Sequence, residues 1–316
     1  MAKYILRRLV LTIPTLFLVM VATFAIIRMQ PGDVILQRIA EGGTLTPEQK
    51  AQLAAELGLD LPAPVQFAHW LGDVARGDLG NSFLNTQPVT EILFPRLLVS
   101  AEVGFYAIVV AVALAIPLGV ASAYYRGSAL DFGARSFAVL GLSLPDFFIG
   151  LFVIVMLVHW WGWLPPLTYA SFATNPIDHL VQISFPVLIV GYRRSAVIMR
   201  LMRSATLEVL GQDYVRTARA KGLTEARTIF VHVARNALVP IVTIIGLQFA
   251  HMFNALVVIE LLFGLPGLGF ATYEAATSRD YPVVQGAMLL LAIITVLSNL
   301  VVDISYGFID PRMKTS

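Results

Sequence analysis

The side chains best suited to chemistry in this 316-residue chain are cations in unusual places. Arg193 and Arg194 stand side by side in an apolar run from about Leu180 to Met202, which also carries Arg200 and leads into Arg203. Ionisable groups inside such a run are costly and mark either a pathway or an ion pair. Neighbouring helical residues point about 100° apart, so the two are expected on different faces. Two roles are open. Either the run ends early and both arginines snorkel to the inner headgroups, or one lines a central cavity and meets an anionic solute group. Gln248, His251 and Asn254 recur at every third position of a later apolar run. That stripe suits a solute pathway or interhelical hydrogen bonding equally. Asp146, Glu260 and Asp303 are the remaining charges near or inside apolar runs. Asp303 is expected to pair with an inside Arg, and Glu260 to cap or pair locally.

Catalytic and nucleotide-binding patterns are missing. The sequence contains no GxxxxGK[ST] phosphate loop and no HExxH, so it holds no nucleotide or zinc by those routes. The five His residues are scattered and no paired acid cluster suits acid-base work; no metal site and no catalytic residues are expected. Without Cys, disulfide and thiolate chemistry are excluded.

These residues must be positioned by a bilayer-spanning scaffold. Hydrophobic residues make up 57% of the chain and charged ones only 13%, about half of what a soluble domain carries. The resulting fold class is an all-α polytopic membrane protein. Apolar runs cover Leu9–Ile27, Leu98–Tyr124, Ser136–His159 (broken at Leu144-Pro145-Asp146), Leu180–Met202, Ala237–Leu262 and Val283–Phe308. Each is near the ~20 residues a spanning helix needs, which gives six transmembrane helices. The first has a basic lead of Lys3, Arg7 and Arg8 but no small-residue cleavage pattern after it, so it reads as an uncleaved helix. Most of the 22 Lys and Arg residues fall on segments that this path places inside, which puts both termini in the cytoplasm.

The implied organisation is a first helix over 1–28, an extracytoplasmic segment with short helices over 29–97, a five-helix core over 98–308 with a cytoplasmic loop at 204–235, and a cytoplasmic tail over 309–316. In the outer segment, Thr46-Pro47-Glu48-Gln49 predicts a helix to about Leu57 and Pro64–Val74 a second. Acids outnumber bases there; it is either a lid over the helix ends or a docking surface for an extracytoplasmic protein.

The loop Leu207–Pro240 organises the whole. It is basic, helix-forming and interrupted at Gly222, which predicts two helical pieces meeting at a corner. Its QDYVRTARAKGL and HVARNALVPIVT resemble the cytoplasmic loop of ABC importer membrane subunits of the dipeptide, oligopeptide and nickel permease family. The general importer loop begins Glu-Ala-Ala, continues to a Gly and later reaches a Leu-Pro. Here Gly222 takes the Gly, Thr217 and Ala218 the two alanines and Arg216 the place of the Glu, while Pro240 falls later than the pattern's Pro. GDLGNSF at 77–83, LSLPDFFIG at 142–150, FGLPGLG at 263–269, RDYPVVQG at 279–286 and DPR at 310–312 are similar to the same family in order and spacing, so the likeness covers essentially the whole chain.

The resemblance implies a type I ABC importer fold and a permease subunit of an ATP-driven, binding-protein-dependent importer, with di- and oligopeptides the leading cargo and nickel chelates or oligosaccharides the alternatives. It implies a homologous second permease, two ATP-binding subunits that hold the ATP and Mg, an extracytoplasmic substrate-binding protein, and a bacterial or archaeal cell membrane; no cofactor is expected in this chain. Asp213, Arg216, Thr217, Ala218, Lys221, Gly222 and Leu223 match the coupling helix that docks on the ATP-binding subunit, with Ala218 and Gly222 as a small-residue face and Arg216, Arg219 and Lys221 at the rim. Arg193, Arg194, Gln248, His251 and Asn254 are the candidate pathway residues, where an arginine would meet a peptide carboxylate. The rival from another class is an ATPase-independent channel or secondary carrier, which would leave the loop without a role; an amphipathic loop on anionic headgroups is the plain alternative for the loop itself.

Overall fold

The computed structural model describes residues 2–29, 46, 48, 60–166 and 168–309, and its regular elements are helices. The helix expected after Thr46, the DPR motif and the bases Arg312 and Lys314 lie outside the described residues, apart from Thr46 and Glu48. In chain order the helices are α1 (Ala2–Met29), α2 (Ala63–Ala75), α3 (Val89–Tyr124), α4 (Ala129–Ser143), α5 (Asp146–Trp161), α6 (Pro176–Leu210), α7 (Asp213–Ala220), α8 (Glu225–Phe263), α9 (Leu268–Thr277) and α10 (Tyr281–Ile309).

Among these residues α3, α8 and α10 are long and apolar enough to cross a membrane, and α4 with α5 makes a fourth crossing if the two are one broken span. A shorter apolar stretch, Val10–Ile26, lies in α1. Helix α6 has the length, at 35 residues, but its four arginines set it apart.

The α4–α5 break is sharp: the two axes differ by 105°. Its cause is local. Pro145 excludes the helical region for the residue before it, and Leu144 accordingly sits at φ −100°, ψ 132°. The bend presents Asp146 in the first turn of α5, where a carboxylate is favoured by the exposed backbone N–H groups.

The chain divides into two compact units. One holds Ala101–Leu265 and Leu297–Ser316. Here α6 is the central helix, buried along Ser195, Ile198, Met199 and Met202 against Ala111 and Ala115 of α3, Ala134 and Ala138 of α4, and Ala237 and Ile241 of α8. Close approach comes from small residues, as expected where lipid removes the hydrophobic drive between helices. A Cβ on Gly191 would lie 2.9 Å from the Ala107 carbonyl oxygen, and one on Gly141 2.9 Å from Ala196 Cβ.

The other unit holds Ala2–Ser100 and Pro266–Val296. Val89 and Leu93 of α3 pack with Leu268, Ala271 and Ala275 of α9 and Val283, Val284 and Ala287 of α10. Two of the motifs read from the sequence meet here: Asp280 of RDYPVVQG accepts hydrogen bonds from the Ser82 hydroxyl and, at 3.0 Å, from the Phe83 amide of GDLGNSF. Ser100 Oγ takes the Leu268 amide at 2.7 Å and so closes the start of α9. The expected α2 is present, with Phe67 edge-on to Phe24 of α1 and Trp70 stacked on it.

Candidate functional site

The basic loop folds as a short helix followed by a corner. Helix α7 spans Asp213–Ala220 and ends at Lys221, after which Gly222 adopts φ +78°, a left-handed conformation that glycine takes without strain. Thr224 then caps the next helix through its hydroxyl, which accepts the Arg227 amide. Across the corner Arg219 pairs with Glu225 at 2.9 and 3.3 Å, so the turn is closed by a two-pronged ion pair. Beyond it the backbone widens into a π-helical segment at Thr228–Ala234, a form that recurs at functional places in helices. Beside this segment α3 and α8 leave a largely apolar groove of about 760 Å³, lined by Ile116, Tyr124, Phe230 and Leu238 among others.

One expectation about this loop needs correction. Ala218 is buried together with Val215, so it anchors α7 inward and offers no small-residue face; the helix ends at Ala220, and the exposed Gly222 in the corner beyond it no longer continues the helical face on which Ala218 sits. Arg219 is also exposed, and is paired with Glu225 across the corner. Asp213, Arg216, Thr217, Lys221 and Gly222 are exposed and Leu223 is half-buried. Among the described residues the one ion pair of the Arg216 side chain is with Asp213, at 3.6 Å and in solvent.

The second constellation gathers around the α4–α5 bend. Arg193 Nη1 donates to Asp146 Oδ2 at 2.9 Å, and Arg194 Nη2 lies 4.0 Å from the same oxygen. Arg194 also donates to Gln248 Oε1 at 3.2 Å and reaches the His251 carbonyl at 3.5 Å. Thus the two arginines do not diverge as their positions on the helix suggest: their long side chains converge because Asp146 sits between the two directions. Nor does the helix end there, since α6 runs on to Leu210 and both guanidinium groups are held by the protein. His251 and Asn254 are exposed on α8 and Gln248 is half-buried.

Reasoning from apolar runs misses two further polar nodes. Asp131 is buried in α4 and accepts from Arg203, Ser122 and the Gly127 amide. His179 is buried, with one ring nitrogen 2.9 Å from the Ala170 carbonyl and the other 2.9 Å from Glu102. Glu260 is fully buried, and the side chain of Asp303 lies outside the described residues. Among the described residues no three His, Asp or Glu come together as a metal-binding group.

Comparison with known proteins decides the family. The family of binding-protein-dependent transport system inner membrane components matches residues 115–315, and its N-terminal membrane-component family matches residues 1–103. The chain belongs to the binding-protein-dependent transport system inner membrane components. This membrane component is 42% identical to the dipeptide transport system permease protein DppB of Escherichia coli (strain K12), over 99% of both chains. It is 38% identical, again over 99% of each, to a putative peptide transport system permease protein of Brucella abortus. A probable peptide ABC transporter permease protein of Sinorhizobium fredii shares 37% over 99% of this chain and 100% of its own. A solved amino acid ABC transporter superposes with a TM-score of 0.49 at 15% identity, over 68% of this permease and 92% of that chain. The permease assignment stated from the loop and the five outlying motifs is therefore correct.

Proposed function

We propose that this permease carries short peptides across the inner membrane as half of an ATP-driven importer, by alternating access. Support for the cargo comes from the full-length relatives, which are named for dipeptide or peptide transport. In this reading six helices span the membrane with both termini inside: α1, α3, the broken α4–α5 pair, α6, α8 and α10. The 98–308 core forms the pathway, and 29–97 covers its outer end, where the extracytoplasmic binding protein delivers solute. A homologous second permease completes the pathway, and two ATP-binding subunits, which hold ATP and Mg, work from inside.

The observation that carries the proposal is α7 itself. It is a rigid handle, fastened inward by Val215 and Ala218, closed by the Arg219–Glu225 pair and exposed along Asp213, Arg216, Thr217 and Lys221. A partner that grips this face moves α6 and α8 as levers, because both leave the loop as continuous helices. Arg216 and Lys221 supply rim contacts, and Gly222 sets the corner.

The test is pull-down of the chain from membranes with its neighbours co-expressed. A P-loop ATPase is expected to accompany it, and Arg216→Glu combined with Lys221→Glu should release that subunit while leaving the permease in the membrane. Peptide accumulation through this chain without any ATPase subunit would overturn the proposal in favour of a self-sufficient carrier.

A further inference from the structure

Asp146 serves two arginines with one carboxylate oxygen. Its Oδ2 makes both contacts, whereas Oδ1 and Arg194 Nε, both buried, have no hydrogen-bond partner among the described residues. One carboxylate against two guanidinium groups leaves the cluster with an uncompensated positive charge, in surroundings where such an imbalance is costly. The two arginines are also held unequally. Arg194 has only 11% of its side chain exposed and is fixed on Gln248 and the His251 carbonyl. Arg193 has 35% exposed and, among the described residues, is held by Asp146 alone. Arg193 is therefore the reachable cation, and its restraint is a carboxylate that a second carboxylate can replace like for like.

We infer that this cluster is a carboxylate-binding station, in which Arg193 takes the terminal carboxylate of a peptide and Asp146 is the resident counter-ion that the peptide displaces. The inference rests on the importer reading above and names the part of the solute that the pathway engages. A planar carboxylate suits the guanidinium fork, which can donate two parallel hydrogen bonds to it. While Arg193 turns to the solute, Asp146 stays with Arg194 and the cluster reaches charge balance. When the solute leaves, Asp146 reclaims Arg193, so no bare cation remains in the pathway. The competition keeps the station weak, which a transport pathway needs. His251 and Asn254, exposed on α8, supply donors and acceptors suited to the amide groups of the same peptide.

The experiment is a cycle between ligand and protein, run in proteoliposomes holding the permease with its partner subunits and binding protein. Uptake of dialanine is compared with uptake of its C-terminal amide, for the unaltered permease and for Arg193→Gln. Any preference of the binding protein enters both comparisons equally and cancels, as does a lower amount of assembled variant. Amidation is expected to reduce kcat/KM by about tenfold more in the unaltered permease than in Arg193→Gln, the size of a charge-assisted hydrogen bond. Asp146→Asn removes the competitor and is expected to enlarge the amidation penalty, with a lower KM and a lower kcat for dialanine. Equal amidation penalties in all three proteins would overturn the inference and leave the ion pair purely structural. Failure of the unaltered assembly to accumulate any peptide with ATP would instead overturn the importer reading on which it rests.

Discussion

Asp131 and Arg203 form a buried two-pronged ion pair, with Nε on Oδ1 at 2.9 Å and Nη2 on Oδ2 at 3.0 Å. Ser122 Oγ and the Gly127 amide complete the carboxylate's hydrogen bonds at 2.7 and 3.0 Å, and Arg135 stands 3.4 Å away. The pair ties the turn between α3 and α4 to the part of α6 that leads into α7. Breaking a buried pair from one side strands the other charge, at a cost of about 3–5 kcal/mol. Asp131→Ala and Arg203→Ala are each expected to show losses of that order in thermal unfolding of the purified permease, and the double variant less than their sum. Additive losses would mean that the two residues act independently.

Gly222 holds the corner after α7 at φ +78°, and a Cβ built there meets nothing within 4 Å. Any penalty for a side chain is therefore one of backbone strain alone, about 1–2 kcal/mol for an ordinary L residue. Gly222→Ala is expected to raise amide exchange across 213–224 several-fold and, on the proposed function, to weaken retention of an ATP-binding subunit. Gly222→Asn, which tolerates the left-handed region, should fall between the two. An Ala variant with unchanged exchange would show that the corner can relax without cost.

Glycines in α3, α4 and α6 separate tight from loose contacts. A Cβ on Gly191 would press on the Ala107 carbonyl at 2.9 Å, and one on Gly119 on Met202 Cβ at 2.8 Å and the Met199 carbonyl at 3.0 Å. These neighbours are backbone or the stiff root of a side chain, so the helices themselves must part. Gly191→Ala and Gly119→Ala are each expected to cost about 1–3 kcal/mol. Gly133→Ala, with nothing within 4 Å, should instead stabilise by about 0.5–1 kcal/mol, because alanine gives up less backbone entropy in a helix. Melting temperatures of the three variants in one lipid environment check the ordering.

What is legible in the sequence follows a simple physical line. Apolar runs reveal the long helices, and Leu144-Pro145-Asp146 reveals the break, since proline acts on its own neighbour. Gly222 reveals the corner for the same local reason. What is hidden depends on which residues meet across the fold. Asp146 with Arg193 and Arg194 spans 47 residues of chain, and Asp131 with Arg203 spans 72. Helical periodicity even points the wrong way for Arg193 and Arg194, because it describes where side chains begin, while long guanidinium side chains end where a carboxylate holds them. Ala218 shows the converse error. A small residue in a polar loop reads as a docking face until burial with Val215 reveals it as an anchor. The start of α3 at Val89, ahead of the apolar run, is hidden because its first turns are polar and amphipathic.

Tyr169 lies in the segment between α5 and α6, where burial pushes its phenol up to about 12, and the Glu102 carboxylate adds to the shift by repelling the phenolate and accepting from the neutral phenol. The same Glu102 contacts His179, whose ring packs edge-on against Tyr169 with centroids 5.6 Å apart. In the unfolded chain the phenol ionises near its ordinary value of 10.0. The folded state thus holds the proton more tightly, and its contribution to stability is complete below pH 10. As pH rises from 10 towards 12 the unfolded chain loses its proton first, and that contribution falls away. Tyr169→Phe is therefore expected to flatten the alkaline decline in melting temperature over this interval. Glu102→Gln should move the ionisation of Tyr169 down towards 10, read as the near-ultraviolet absorbance difference between proteins with and without the phenol. A midpoint for Tyr169 already near 10 in the unaltered permease would place its hydroxyl in water, and the contact with Glu102 would then contribute nothing to holding the segment between α5 and α6 against α3.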